Sequence, residues 1–330
     1  MRCFLRTLPK FRLVILATSA LLVASALHAV GGAEPDKRLE IIRELPAKAE
    51  LVIELLSAAC TVESGSDGRI LLRVVSSYPE DRYQVDIRER SGELYLRERL
   101  LQRPKGFATW YLTVPDSTGI LFSSSSGDFE STGDYRALEA RSASGGIFVR
   151  DLSGRILINT ASGAVRLEDL SGDMSVATAS GDVEVADCQG RLSLHTAAGA
   201  LELRDVVAEI EATTVAGSIA VSELRLSGEC SFSSTAGDIE VGLAATPTFD
   251  LTLTSAAGSV ELDFNDNRVA GTIEFSALRH AGRIESPFEF DRQEVFAHSG
   301  QIYDLKSLVR GEALPRITLA TASGRARLKL

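Results

Sequence analysis

Thr160-Ala-Ser-Gly163-Ala-Val-Arg-Leu167, Thr178-Ala-Ser-Gly181-Asp-Val-Glu-Val185 and Thr196-Ala-Ala-Gly199-Ala-Leu-Glu-Leu203 are three copies of one phrase, spaced 18 residues apart. The same spacing links Gly127, Gly145, Gly163, Gly181, Gly199 and Gly217. A strict period of this kind means one supersecondary unit stacked on copies of itself, each completing its neighbour's core. After each glycine, apolar and polar positions alternate: Val165 and Leu167, Val183 and Val185, Leu201 and Leu203, Ile219 and Val221. Period two marks a half-buried strand, not a helix.

A second series, Gly154, Gly172, Gly190 and Gly228, runs midway between the first, with Ala208 where one more would fall. The unit is therefore a strand of about five residues plus a turn of about four, used twice per coil. Two strands per coil predict a parallel β-solenoid rising roughly 4.8 Å per coil, about eleven coils in a rod near 50 Å long. The crossover rule favours right-handed coiling. Glycine is expected at the corners for positive φ and for the close approach of coils above and below. Thr160, Thr178, Thr196 and Thr214 would stack as a hydroxyl ladder beside it. After Gly217 the glycines Gly237, Gly258, Gly282, Gly300 and Gly324 are less regular, and Pro247, Pro287 and Pro315 lie between them. Such insertions are expected to loop out at corners. Thr321-Ala-Ser-Gly324-Arg-Ala-Arg-Leu328 carries the stack to the C-terminal residues.

The first residues read differently. Arg2, Arg6, Lys10 and Arg12 precede an apolar run from Leu13 to Leu27, followed by small residues around Ala29. That run is shorter than the roughly 20 residues a spanning helix needs. Residues 1–29 are therefore expected to be a secretory signal peptide, with an uncleaved anchor as the alternative and the only route to a membrane. The remainder would be exported to the periplasm or cell surface. It holds 31 basic and 45 acidic residues, a net charge of −14. Such an acidic balance argues against nucleic acid as a partner. Cys60, Cys188 and Cys230 are odd in number and not closely paired, which is no disulfide framework. Cys188 and Cys230 read as small apolar fillers.

Residues 34–118 are less regular but strand-rich, with runs such as Glu50-Leu-Val-Ile-Glu-Leu-Leu56 and Thr109-Trp-Tyr-Leu-Thr-Val114. They are expected to form a β-rich cap on the end of the stack, or else a separate small domain, with the repeats proper over 119–330. Thr113-Val-Pro115-Asp-Ser-Thr-Gly119, then Ser125-Ser-Gly127-Asp-Phe-Glu130 and the repeats that follow, resemble an exported bacterial putative-adhesin family of glycine-punctuated β-strand repeats, a domain of unknown function. The resemblance covers roughly residues 40–330. It implies a β-helix-like exported domain, in some members linked to envelope-stress systems, and it brings no catalytic residues.

Enzymatic chemistry finds little support in the sequence. Glu184, Glu202, Glu240 and Glu261 fall at one outward position, interrupted by Arg166 and Ala220. Polysaccharide-active β-helices place paired carboxylates on such a face, but outward charges on a solenoid are ordinarily solvated. Trp110 is the only tryptophan and is expected outside the regular coils; His195, His280 and His298 are scattered without metal-ligand spacing. Asp128, Asp134, Asp173, Asp182 and Asp238 follow glycines as in calcium-binding nonapeptide rolls, yet Arg155, Arg191, Arg283 and Arg325 hold the same position elsewhere. Arginine in that series would repel a cation, so these aspartates read as turn residues bonding their own backbone. No catalytic, cofactor-binding or metal residue is assigned, and no cofactor. The expected function is a non-catalytic adhesin-like envelope module, with an unknown envelope protein or glycan as partner. An envelope-stress or sensor-associated periplasmic domain is the first alternative and a polysaccharide-active enzyme the second.

Overall fold

The computed structural model describes residues 38–102 and 104–330, so the expected signal peptide at 1–29 lies outside the described residues. The described residues form one compact unit of β-strands. Each coil is a long strand, a tight corner, a short strand and a gentler corner, as in Arg155–Thr160, the corner at Gly163, Val165–Glu168 and the bend at Asp169–Gly172. Val165, Leu167, Leu170, Met174 and Val176 all point inward and are buried. The long strands of successive coils pair in parallel register on one face, Met174 beside Ile156 and Leu192. The short strands do the same on the other, Val183 between Val165 and Leu201. The parallel solenoid predicted from the glycine period is the fold.

The stack extends upstream of residue 119. Glu50–Leu55 pairs in parallel with Gly119–Ser124, and Ala59–Gly65 pairs with Phe129–Thr132 and Ala108–Pro115, so residues 50–65 are themselves a coil. Glu93–Leu100 and Ala108–Pro115 form the coil outside it. Trp110, expected outside the coils, is therefore in this outermost one, fully buried, with its indole N–H donating to the Tyr83 hydroxyl at 2.7 Å. Antiparallel strands complete this end: Arg69–Ser76 and Leu39–Pro46 on the short face, Tyr83–Arg90 on the long face.

The other end repeats the device. Arg316–Thr321 and Arg325–Lys329, last in sequence, pair directly with Leu251–Ser255 and Val260–Asp263. Gly271–Leu278 and Arg283–Glu285, although earlier in the chain, lie outside them. The lengthened stretch between Gly258 and Gly324 is thus not a corner loop: it supplies the outermost coil and a hairpin, Arg292–His298 with Gln301–Arg310. By contrast, the extra residues before Cys230 are accommodated at a corner, where the register slips between Ala208 and Ile210. The first and last coils are each covered by a coil from elsewhere in the chain, which shields open edges of the core. Phe288 and Phe290 pack against the core here, beneath Arg310 and Lys306, whose cations sit 4.7 and 4.9 Å from the ring centres.

The two corners need different residues for different reasons. At the tight corner a Cβ on Gly163, Gly181 or Gly199 would lie 2.0 Å from the carbonyl oxygen of the glycine one coil back. None of these three has positive φ, so close approach alone imposes the glycine. Positive φ belongs to the second series, at +135° for Gly154, +120° for Gly172 and +129° for Gly190. The gentle corner also holds a ladder that the glycine reading missed: Asp151, Asp169, Asp187, Asp205 and Glu223, with φ between 52° and 55°. Aspartate tolerates the left-handed region better than most residues, which accounts for four of the five. Each is followed by a buried residue, in order Leu152, Leu170, Cys188, Val206 and Leu224.

Candidate functional site

The hydroxyl ladder is interior. Thr160, Thr178, Thr196 and Thr214 are buried, and each Oγ accepts the N–H of the glycine three residues on at 2.9–3.0 Å. Thr214 Oγ also donates to the Gly199 carbonyl at 3.4 Å, tying one coil to the last. These groups hold the corner and are not available to a ligand.

Four of the five aspartates after the glycines, Asp128, Asp134, Asp182 and Asp238, bond across coils, not to their own turn as expected. Asp128 accepts from Gly146 N at 2.8 Å, Asp182 from Ala200 N at 2.8 Å and Asp238 from Ser259 N at 2.6 Å. Each carboxylate satisfies a corner N–H in the next coil, a structural use of the same residues that calcium rolls turn to coordination. Among the described residues no group of His, Cys, Asp or Glu is arranged to hold a metal ion. His195, His280 and His298 are all exposed, the first and last on separate strands and His280 in the turn after Leu278; His195 Nε2 is 3.1 Å from Ser193 Oγ. Cys60, Cys188 and Cys230 are free and buried. Cys188 stands in the Leu–Val column of the gentle corner, and Cys230 stands between Ile210 and Leu251. Burial pushes the Cys188 thiol up to about 11 and the Cys230 thiol up to about 12.

The outer side of the short face carries a groove. Here the outward column expected from the sequence is present in register: Phe148, Arg166, Glu184, Glu202, Ala220, Glu240, Glu261 and then Arg327. Beside it run Arg150, Glu168, Ala186, Arg204 and Ser222. The stretch of both columns from Arg166 to Glu240 and from Glu168 to Ser222 lines a groove of ≈ 800 Å³ that ends at Asn265. The small Ala220 stands between Glu202 and Glu240, and Ala186 between Glu168 and Arg204. Charge is unevenly compensated along it. Arg166 donates to Glu184 through Nε at 2.7 Å, and that bond with the carboxylate's charge holds the guanidinium proton more firmly. Arg327 and Lys329 both reach Glu261, neighbours that sequence distance concealed. Among the described residues Glu202 and Glu240 make no ion pair, and they flank Ala220 in the middle of the groove. The groove thus presents two free carboxylates on a rigid backbone with fixed spacing, able to attract cationic or hydrogen-bond-donating groups.

Glu98 is the one buried carboxylate in the described chain, and sequence reading passed over it as an ordinary strand residue. Its Oε2 accepts the N–H groups of Leu56, Ser57 and Ala58 at 2.6, 2.9 and 3.2 Å. Elsewhere such corner N–H groups find a carbonyl one coil back, as Ser162 N finds Ala143 O at 3.1 Å. The outermost coil has no matching corner, and the carboxylate replaces it.

No curated protein matches the chain significantly. Among solved structures, a putative adhesin from Parabacteroides distasonis is 13% identical, with 71% of this chain and 91% of that chain covered and a TM-score of 0.42. A putative adhesin from Bacteroides fragilis is 15% identical, covering 90% and 99% with a TM-score of 0.34. A putative lipid binding protein from Parabacteroides distasonis is 16% identical, covering 87% and 96% with a TM-score of 0.43. The family match is more direct: the Toastrack DUF4097 model covers residues 52–274, from the first coil of the stack into the outermost one at its far end. By that match over most of its length, the chain belongs to the Toastrack DUF4097 family.

Proposed function

We propose that the protein is a non-catalytic, adhesin-like interaction module of the cell envelope, exported by its N-terminal leader, and that it engages its partner along the grooved outer side of the short face. The observation that supports this most is the pairing of Glu202 and Glu240 about Ala220: two uncompensated carboxylates held at fixed spacing in an open groove. A stack whose corners are fixed by glycine contacts and buried hydroxyls loses little freedom when its face is covered, which favours many weak contacts along it.

The test is a glycan-array and envelope-protein pull-down screen comparing the wild type with a Glu202→Lys/Glu240→Lys double variant. Both substitutions are outward, so folding should be retained. The reading expects a bound glycan or envelope protein whose capture is lost in the double variant. Capture that is indifferent to both residues would contradict the groove as the contact surface.

A further inference from the structure

Among the described residues four strands end the two faces, and three of them are blunted against pairing with another chain. Tyr83–Arg90 carries Asp86, Arg88, Glu89 and Arg90; Leu39–Pro46 closes on a proline; Arg283–Glu285 is only 3 residues long. Charge, proline and shortness are the usual means of keeping an open edge unpaired. The fourth, Arg292–His298, has no proline, is 7 residues long and carries its two charges, the Arg292–Glu294 ion pair, in its first half, leaving Val295-Phe296-Ala297 uncharged. All 7 of its residues are exposed. Val295 is 52% exposed, Phe296 42% and Ile302, on the adjoining strand, 41%. The apolar side chains point to both sides of the hairpin, with Phe296 stacked on Tyr303 at 5.2 Å.

The hairpin turn fixes which backbone groups are free. Ser299 and Gly300, with φ of 52° and 77°, make a two-residue turn, so His298 and Gln301 are the closing hydrogen-bonded pair. Hydrogen-bonded and non-bonded pairs alternate in an antiparallel ladder. The N–H and C=O groups of Gln293, Val295 and Ala297 therefore point away from the hairpin, toward solvent.

We infer that this edge pairs antiparallel with the same edge of a second copy, extending the long face across a two-fold axis at Phe296. The sequence Glu294-Val-Phe296-Ala-His298 is self-complementary in that register. Phe296 meets its counterpart, each Glu294 faces the other copy's His298, and the outward backbone of Val295 meets that of Ala297. Shifting the axis to Glu294 would set two carboxylates opposite each other, and shifting it to Val295 would set Arg292 beside His298. Cross-strand charge complementarity thus selects one register and one occupant.

Sedimentation velocity on the purified full chain over a concentration series tests this. The wild type should reach twice the monomer mass. Ala297→Pro removes an outward N–H and no internal hydrogen bond, and should leave a monomer with the wild-type melting temperature. Glu294→Lys removes the carboxylate that faces His298, and His298→Glu sets two carboxylates opposite each other, so each should weaken the dimer about tenfold; the two combined set a cation opposite an anion and should restore it. The charge swap keeps the test intact if Ala297→Pro unfolds the hairpin. A wild type that stays monomeric, a dimer that survives Ala297→Pro, or a double variant no tighter than the single ones would each overturn the inference.

Discussion

The carbonyl oxygen of Gly163 stands 2.0 Å from where a Cβ on Gly181 would be. The obstacle is backbone, not a flexible side chain, so it cannot move aside without shifting a coil. Gly181→Val should destabilise the protein by more than about 3 kcal/mol, the upper range for overpacking. Glu184→Gln, three residues on, loses an exposed pair with Arg166 and should cost no more than about 1 kcal/mol. Thermal melts followed by circular dichroism compare the two; equal melting temperatures would refute the close-contact account of the tight corner.

Thr196 is buried and accepts the Gly199 N–H at 2.9 Å. Thr196→Val keeps the shape, removes the acceptor and strands that N–H, at a cost of about 1–3 kcal/mol. Thr196→Ser should be milder, because Ser234 and Ser255 fill equivalent positions in later coils. Urea unfolding midpoints measure both, and a Val variant as stable as the Ser variant would remove the hydroxyl from the corner's design.

Glu98 stands in for a missing corner by taking three backbone N–H groups. Glu98→Ala should lower the melting temperature and speed amide hydrogen exchange at Leu56, Ser57 and Ala58, leaving exchange at Thr196 and Gly199 unchanged if opening stays local. Uniform protection in wild type and variant would show that those amides have other partners.

The buried thiols give the protein an alkaline limit. Cys188 and Cys230 stay protonated in the folded chain up to about 11 and about 12, because burial disfavours the thiolate. In the unfolded chain they ionise above about 8.5. Their stabilising contribution is therefore complete below that pH and is lost as pH rises toward the folded values. Cys188→Val, which matches the neighbouring Val206 in its column, should flatten the fall in melting temperature between neutral pH and about pH 10. An unchanged slope would mean other groups set it.

Much of this architecture is legible in the sequence because the stack is in register. When each coil repeats the last at constant spacing, a column in the fold is a column in the text. The tight-corner glycines, the threonine ladder, the buried Val183 and Val185 and the outward Glu184–Glu202 pair can all be read this way. The acidic ladder at Asp151, Asp169 and Asp187 carries the same spacing, but outward acids resemble ordinary solvated charge and their φ is not visible in composition. The coil order at the two ends is harder still. Arg327 beside Glu261 depends on which strand edges fit together, and chain distance says nothing of that. Glu98 looks like any polar residue of an alternating strand until the missing corner above it is seen.

The coils lie in parallel register, and the last one in sequence is enclosed by an earlier segment. Oxidative cross-linking of paired cysteines tests this directly. Glu261 and Arg327 are partners on adjacent strands, whereas Glu285 lies one strand further on, beyond Arg327. Adjacent strands are about 4.8 Å apart, within the Cα range of a disulfide, and two steps fall outside it. Glu261→Cys/Arg327→Cys should cross-link readily and Glu261→Cys/Glu285→Cys should not. The opposite result, with 261 joined to 285 and not to 327, would mean that the coils stack in sequence order and would contradict the account.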